Sequence, residues 1–250
     1  MSISKESKSK PPGGRVVWVT GAAGGIGRAI CDAFVDVGDK VVATDVRSFA
    51  SQDSVVGLAC DVRSTASIAR VIEECNRLGG IDVLVNCAGI MRRTDVLELS
   101  PELWDEVFDV NVKGPLLCSQ AAARSMIDGG RAGSIIHVGS INAEKVFTET
   151  VAYCSSKGAL HAMGRSMALA LAPHGIRVDM VAPGAIDDTD LEPERWGQEQ
   201  MRAEAVARTP LRRLGKSVDV ARSVIFLASE DARYITGETL FIDGGRLASV

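Results

Sequence analysis

Six cysteines (Cys31, Cys60, Cys75, Cys87, Cys118 and Cys154) are scattered without a C-x-x-C pair, and His137, His161 and His174 show no metal-ligand spacing. Neither residue type points to a metal site, and reduced thiols in the cytoplasm are the expectation. Excess charge is also missing. Twenty-eight Lys and Arg against thirty-two Asp and Glu leave −4, too little of one sign for a surface that coats nucleic acid. No run is long and apolar enough to cross a bilayer, so no membrane partner is expected. Met1–Gly14 is polar, carries Lys5, Lys8 and Lys10, and lacks an apolar h-region. It reads as a flexible N-terminal arm or an expression leftover, not a secretory signal. Internal repeats, low-complexity tracts and an interdomain linker are absent too.

What remains is a chain of 250 residues, 46% apolar and 24% charged, the balance of a protein that buries one large core. Short apolar runs read as strands: Arg15–Thr20, Lys40–Thr44, Ser54–Cys60, Ile81–Asn86, Ser134–Val138, Ile176–Val181 and Thr239–Ile242. They are continuous rather than alternating, as expected where both sheet faces are covered. Amphipathic stretches lie between them at Gly25–Val37, Thr65–Leu78, Glu102–Ile127, Val151–Leu171 and Val218–Ala228. This alternation predicts an α/β fold, a doubly wound Rossmann-type parallel sheet of about seven strands with helices on both faces, as a single domain over 15–250. Asp187–Gly197, rich in acids and proline, has no clear period and reads as an inserted lobe.

The first strand runs into Thr20-Gly21-Ala22-Ala23-Gly24-Gly25-Ile26-Gly27, and a helix pattern follows. A tight turn there needs glycine, and the helix N-terminus offers free N–H groups to a pyrophosphate. The spacing is G-x-x-x-G-x-G rather than G-x-G-x-x-G, with the same mechanism; a plain strand–helix turn is the alternative. Asp45 ends the second strand. A carboxylate there bonds ribose hydroxyls and repels a 2′-phosphate, which favours NAD over NADP, with Arg47 partly offsetting the charge.

Tyr153 and Lys157 stand four apart at the start of a helix pattern, hence on one face. A phenol is a poor base at neutral pH, and a nearby ammonium favours its phenolate. A phenol so tuned exchanges a proton with an alcohol or ketone. Ser140 ends the preceding strand, at the sheet edge where sites in such folds lie. Taken alone, a Tyr and a Lys one turn apart are commoner as a surface pair than as a catalytic pair, and the glycine turn changes that weighting.

Together these motifs resemble the short-chain dehydrogenase/reductase family over about Arg15–Gly245. Thr20–Gly27 matches its cofactor turn, Asp61-Val62 its adenine pair, and Asn86-Cys87-Ala88-Gly89 its N-x-A-G segment. Asn111, Ser140, Tyr153 and Lys157 match its catalytic four, and Pro183-Gly184 with Ile186 its nicotinamide-side turn. The resemblance implies an enzyme that passes hydride between a nicotinamide and a secondary alcohol or ketone. Tyr153 is then the general acid or base, Lys157 its tuner and a ribose ligand, and Ser140 the group that polarises the C–O bond. Asn111 is expected to hold a water that links Lys157 to solvent; Gly21, Gly25, Ile26, Gly27, Asp45, Asp61, Val62, Asn86, Ala88 and Gly89 are expected at the cofactor. An NADPH-dependent 3-oxoacyl thioester reductase and a non-catalytic NAD-sensing scaffold are the alternatives.

One departure stands out. The family continues Pro-Gly with x-I/V-x-T, but Asp188 occupies the Thr position and Thr189 follows one place late. Either residue is a candidate for the carboxamide contact, and Asp190, Glu192 and Glu194 make the segment acidic. Gly89-Ile90-Met91-Arg92-Arg93 resembles sugar-acid dehydrogenases of the family, and an Arg here is suited to grip a carboxylate, against which the acidic segment stands; two solvated loop arginines are at least as good a reading. Asn142, Glu144, Val146, Phe147 and Thr148 are candidate pocket residues. Trp104 and Phe108, four apart, read as core, as does His137; Cys87 and Cys154 read as packed thiols rather than redox sensors. The resemblance further implies a homotetramer or homodimer. Its interfaces are the helices at Glu102–Ile127 and Val151–Leu171 and the tail Asp243–Val250.

Overall fold

A computed structural model describes residues 14–47, 51, 54–189 and 198–249. The rest of the expected arm, and Asp190, Glu192 and Glu194, lie outside these residues. Seven parallel strands form one sheet in the order β3-β2-β1-β4-β5-β6-β7. They are β1 (Val16–Thr20), β2 (Lys40–Asp45), β3 (Val55–Ala59), β4 (Val83–Asn86), β5 (Gly133–Val138), β6 (Ile176–Pro183) and β7 (Thr239–Ile242). The strand order reverses between β1 and β4, which opens a crevice at the strands' C-terminal ends.

The continuous apolar runs follow from burial on both faces. In β1, Val17 and Val19 face one core, shared with Ile30 and Phe34 of α1 (Gly25–Asp36) and with Val220 and Val224 of a late helix (Ser217–Leu227). Val16 and Trp18 face the other core, shared with Ile68 and Val71 of α2 (Thr65–Arg77) and with Cys118, Ala122 and Met126. Period-2 alternation thus divides one hydrophobic strand between two cores. A buried ion pair, Arg15 to Asp39 at 2.6 Å, holds the entry to β1, and Arg15 Nη1 also donates to the Ala228 carbonyl at 2.5 Å.

Three expectations change. The stretch read as one helix over Glu102–Ile127 is α3 (Pro101–Phe108), a π-helical turn (Asp109–Lys113) and α4 (Gly114–Asp128). The π turn inserts one residue and re-aims Asn111 into the interior, a common device at functional positions. Trp104 and Phe108 stack at 4.5 Å but are only half-buried, so they are not core. A further helix, α6 (Glu199–Ala207), follows α5 (Val151–Leu171) and precedes α7 (Ser217–Leu227). Among the described residues no helix is long and apolar enough to cross a membrane.

Candidate active site

The crevice at the switch point is a single cleft of about 550 Å³. Thr20 ties its floor together: its hydroxyl at the end of β1 accepts from the backbone N–H groups of Cys87 at 3.0 Å and Ala88 at 3.1 Å, beyond β4. Gly21 adopts φ +66°, and a Cβ there would come within 2.7 Å of the Ala88 Cα, so only glycine fits. A Cβ on Gly25 would collide with the Asp188 carbonyl, so glycine there is dictated by a protein neighbour. The α1 N-cap, Gly24, contributes no side-chain hydrogen bond, and the first turn holds no acid. The helix therefore keeps its N–H groups and positive end for an anion in the cleft.

Gly21, Gly25, Ile26, Gly27, Asp45, Asp61, Val62, Ala88, Gly89, Ser140, Tyr153, Lys157, Pro183, Gly184 and Ile186 all line this cleft. At one end the Asp45 carboxylate accepts from Ala23 N at 3.2 Å and meets Arg47 Nε at 3.3 Å. Asp61 is forked by Arg63 at 2.8 Å, which holds its carboxyl below the usual range. The uncapped α1 terminus and the acidic Asp45 together fit a dinucleotide, pyrophosphate at the helix and ribose at the carboxylate.

At the other end Ser140, Tyr153 and Lys157 are 8%, 6% and 5% exposed. Ser140 caps a short 3₁₀ turn, its Oγ accepting from Asn142 N at 3.1 Å. Lys157 Nζ donates to the Val138 carbonyl at 2.9 Å and lies 5.6 Å from the centre of the Tyr153 ring. Burial lowers the Lys157 pKa from 10.5 to about 8, against a weaker opposing pull from Cys87.

Two predicted residues stand behind the cleft rather than in it. Asn86 turns into the core, its Nδ2 donating to Ser119 Oγ at 3.0 Å and to His137 Nδ1 at 3.2 Å. It supports β4 from behind and does not line the cofactor space. His137 is the core histidine expected, and burial drops its pKa to about 3. The Asn111 side chain is spent on protein: Oδ1 accepts from Ile90 N at 2.9 Å, and Nδ2 donates to Ile90 O at 2.9 Å and Ser156 Oγ at 3.0 Å. Ser156 Oγ donates in turn to the Tyr153 carbonyl at 2.7 Å. Asn111 thus clamps the post-β4 loop to α5, and its side chain makes no bond to Lys157.

The irregular turn after β6 divides the two candidates. The Asp188 carboxylate accepts from Ser217 N at 2.7 Å and Ser217 Oγ at 2.9 Å, at the start of α7. Thr189 lines the cleft, as do Asn142 and Phe147, whereas Glu144, Val146 and Thr148 do not. Arg92 and Arg93 stand at the mouth against Glu106 at 2.8 Å and Glu149 at 3.5 Å. Cys87 lines the cleft and Cys154 is buried against Thr150 Oγ1 at 3.2 Å. Several lining residues had no sequence signal, among them Arg63, Glu106, Val110 of the π turn and Arg246 of the tail.

A sequence profile described as Enoyl-(Acyl carrier protein) reductase matches residues 21–246. Sorbitol dehydrogenase of Cereibacter sphaeroides is 34% identical, with 94% of this chain and 98% of that protein covered. The 3-oxoacyl-[acyl-carrier-protein] reductase FabG of Salmonella typhimurium is 35% identical over 93% and 97%. The ligand-free structure of the Thermoplasma acidophilum aldohexose dehydrogenase superposes with TM-score 0.87 at 35% identity, covering 94% of this chain and 95% of that one. Likeness of this extent, on a cleft built as described, makes the chain an oxidoreductase of the short-chain dehydrogenase/reductase family.

Proposed function

We propose that the enzyme is an NAD(H)-dependent dehydrogenase/reductase of a secondary alcohol/ketone pair, with a sugar, sugar acid or polyol as substrate. The observation that carries this reading is the meeting of Ser140, Tyr153 and Lys157 on a cleft whose far end holds the Asp45 carboxylate. When bound, the nicotinamide supplies or accepts the hydride. The Tyr153 hydroxyl gives or takes the proton at the substrate oxygen, and the Ser140 hydroxyl holds that oxygen in place. The Lys157 ammonium, one helical turn away, favours the phenolate and serves the ribose. The N-terminus of α1, from Gly24 to Gly27, takes the pyrophosphate. Asp45 takes the adenosine ribose, Asp61 and Val62 face adenine, and Ala88 and Gly89 back the ribose side. Pro183, Gly184 and Ile186 pack at the nicotinamide, with Thr189 for the carboxamide. Asn111 is a positioning residue, and Asn86 supports the strand beneath. The reading takes 15–250 as one catalytic domain, acting in the cytoplasm as a homotetramer or homodimer.

Appearance of the reduced-nicotinamide absorbance band tests it, with a panel of polyols, sugars, sugar acids, hydroxysteroids and 3-hydroxyacyl thioesters. The expected result is turnover of at least one polyol, sugar or sugar acid, with kcat/KM for NAD at least about 10-fold above that for NADP, because a 2′-phosphate would face Asp45. No turnover with any member contradicts the reading. The second reading, an NADPH-dependent 3-oxoacyl thioester reductase, is favoured by Arg47, whose Nε lies 3.3 Å from the Asp45 carboxylate, and by the likeness to FabG. It predicts the reverse cofactor preference and thioester turnover alone.

A further inference from the structure

The face of α5 that bears Tyr153 and Lys157 carries a third polar residue. His161 stands one turn beyond Lys157, at the same four-residue spacing. It does not line the cleft. It is 3% exposed, and its Nε2 has no hydrogen-bond partner among the described residues. A buried ring nitrogen left unbonded is costly, so the ring is held there by something other than its polarity. Burial, with the charges of Lys157 and Arg165, lowers its pKa from 6.5 to about 4. The imidazole is therefore neutral and adds no second cation near the Lys157 ammonium.

The ring tip meets the end of β5. A Cβ built on Gly139 would come within 2.7 Å of His161 Nε2 and 2.6 Å of Met180 Sδ. Gly139 is not among the glycines at positive φ, so it is glycine for room, and the imidazole takes that room. Gly139 lies between two functional groups of the strand end: Ser140, and the Val138 carbonyl that accepts from Lys157 Nζ at 2.9 Å. Gly139 N donates in turn to the Val181 carbonyl of β6 at 2.7 Å. Phe241 of β7 backs the imidazole, the ring centroids 6.5 Å apart and tilted by 50°, an ordinary aromatic pairing. Helix α5 thus meets the end of β5 at two places one turn apart, Lys157 on Val138 and His161 on Gly139. One contact lets a helix pivot on a strand; two fix its bearing.

We propose that His161 is a positioning residue for the reaction: its ring tip, lodged against Gly139, sets the distance between Ser140 on the strand end and Tyr153 on the helix. This rests on the dehydrogenase reading above, in which those two hydroxyls address one substrate oxygen and small displacements are expensive.

Two neutral amides separate reach from polarity. Glutamine carries its amide nitrogen about as far out as Nε2, asparagine only as far as Nδ1. The readouts are kcat per NADH-binding site with the best substrate, and the dissociation constant for NADH by fluorescence titration. His161→Asn, too short to touch Gly139, is expected to lose roughly 10- to 100-fold in kcat, the range set by a displacement of about 1 Å, with NADH binding within about 3-fold of the wild type. His161→Gln is expected to rescue kcat to within about 3-fold. Gly139→Ala, which presses on the same contact from the strand, is expected to lower kcat by a similar factor at unchanged NADH affinity. A residue that only fills space would lower Tm in these variants and leave kcat per site alone. Where one of His161→Asn and Gly139→Ala fails to fold, the other decides. Failure of both to fold, or of His161→Gln, makes the contact structural and overturns the proposal. Wild-type kcat in His161→Asn, equal loss in the two amide variants, or a fall in NADH affinity that matches the fall in kcat overturns it too, and each leaves the dehydrogenase reading standing. No turnover by the wild type with any alcohol or ketone of the panel removes both.

Discussion

Lys157 carries a cost that its position explains. An ammonium buried beside a strand carbonyl has its pKa lowered to about 8, so in the free enzyme the charge proposed to tune Tyr153 is lost just above neutral pH. The kcat/KM profile should therefore fall on its alkaline side with a midpoint near pH 8. Lys157→Arg, which cannot deprotonate in this range, should move that limb upward by at least about one pH unit while lowering the plateau. A limb unmoved in the arginine variant would assign it to another group. The same scale shows what a sequence can and cannot reveal. Tyr153, Lys157 and Ser140 were legible because their chemistry and spacing are unusual together. Asn86 and Asn111 were legible as positions but not as roles: amides bond equally well to cofactor, water or protein, and only the fold shows Asn86 turned to Ser119 and His137, and Asn111 to Ile90 and Ser156.

Among elements, the turn after β6 has the sharpest division of labour. Asp188 anchors the start of α7 through Ser217, and Thr189 faces the cleft. Asp188→Ala should lower stability by about 1 kcal/mol, the usual worth of a lost helix-terminal carboxylate, seen as a Tm drop of roughly 2–4 °C for a chain of this size. Thr189→Ala should leave Tm in place and raise the cofactor KM. Thermal scans and initial-rate kinetics on the two variants check this, and the opposite pattern would mean the two residues had been assigned the wrong way round. The sequence left this pair open because a one-residue offset is invisible without the backbone. All seven strands were legible, since apolar runs between turn residues can hardly be read otherwise. The π turn at Asp109–Lys113 was not, because one extra residue scarcely disturbs helical periodicity over a long stretch. Helix α6 was missed because its sequence, EQMRAEAVA, buries only Ala205 and offers no apolar face to read.

For the whole molecule, the thiols decide behaviour at alkaline pH. Burial raises the pKa of Cys31, Cys75 and Cys87 to about 12 and of Cys60 to about 11, and pushes Cys118 up as well. From about pH 9 the unfolded chain releases these protons while the native chain keeps them. The native state then binds more protons than the unfolded state, and stability falls as pH rises. Lys157 works the other way between about 8 and 10.5, since its folded pKa is lowered, but one ammonium opposes five thiols. At up to 1.4 kcal/mol per group per pH unit, the net loss should reach about 6 kcal/mol between pH 9 and 10.5. Urea unfolding under reducing conditions measures it, and Cys75→Ala should remove about one quarter of the net drop. A midpoint that holds steady over that range would show that the thiols are open to solvent.

The central claim is that Tyr153 moves the proton while the remainder of the cleft holds the cofactor. The direct measurement is a paired one on Tyr153→Phe: the dissociation constant for NADH by fluorescence titration, and kcat with the best substrate. The account predicts binding within about 3-fold of the wild type and kcat down by at least 100-fold, the lower bound for a lost general acid–base. Full activity in the phenylalanine variant, or loss of NADH binding in step with activity, would contradict it.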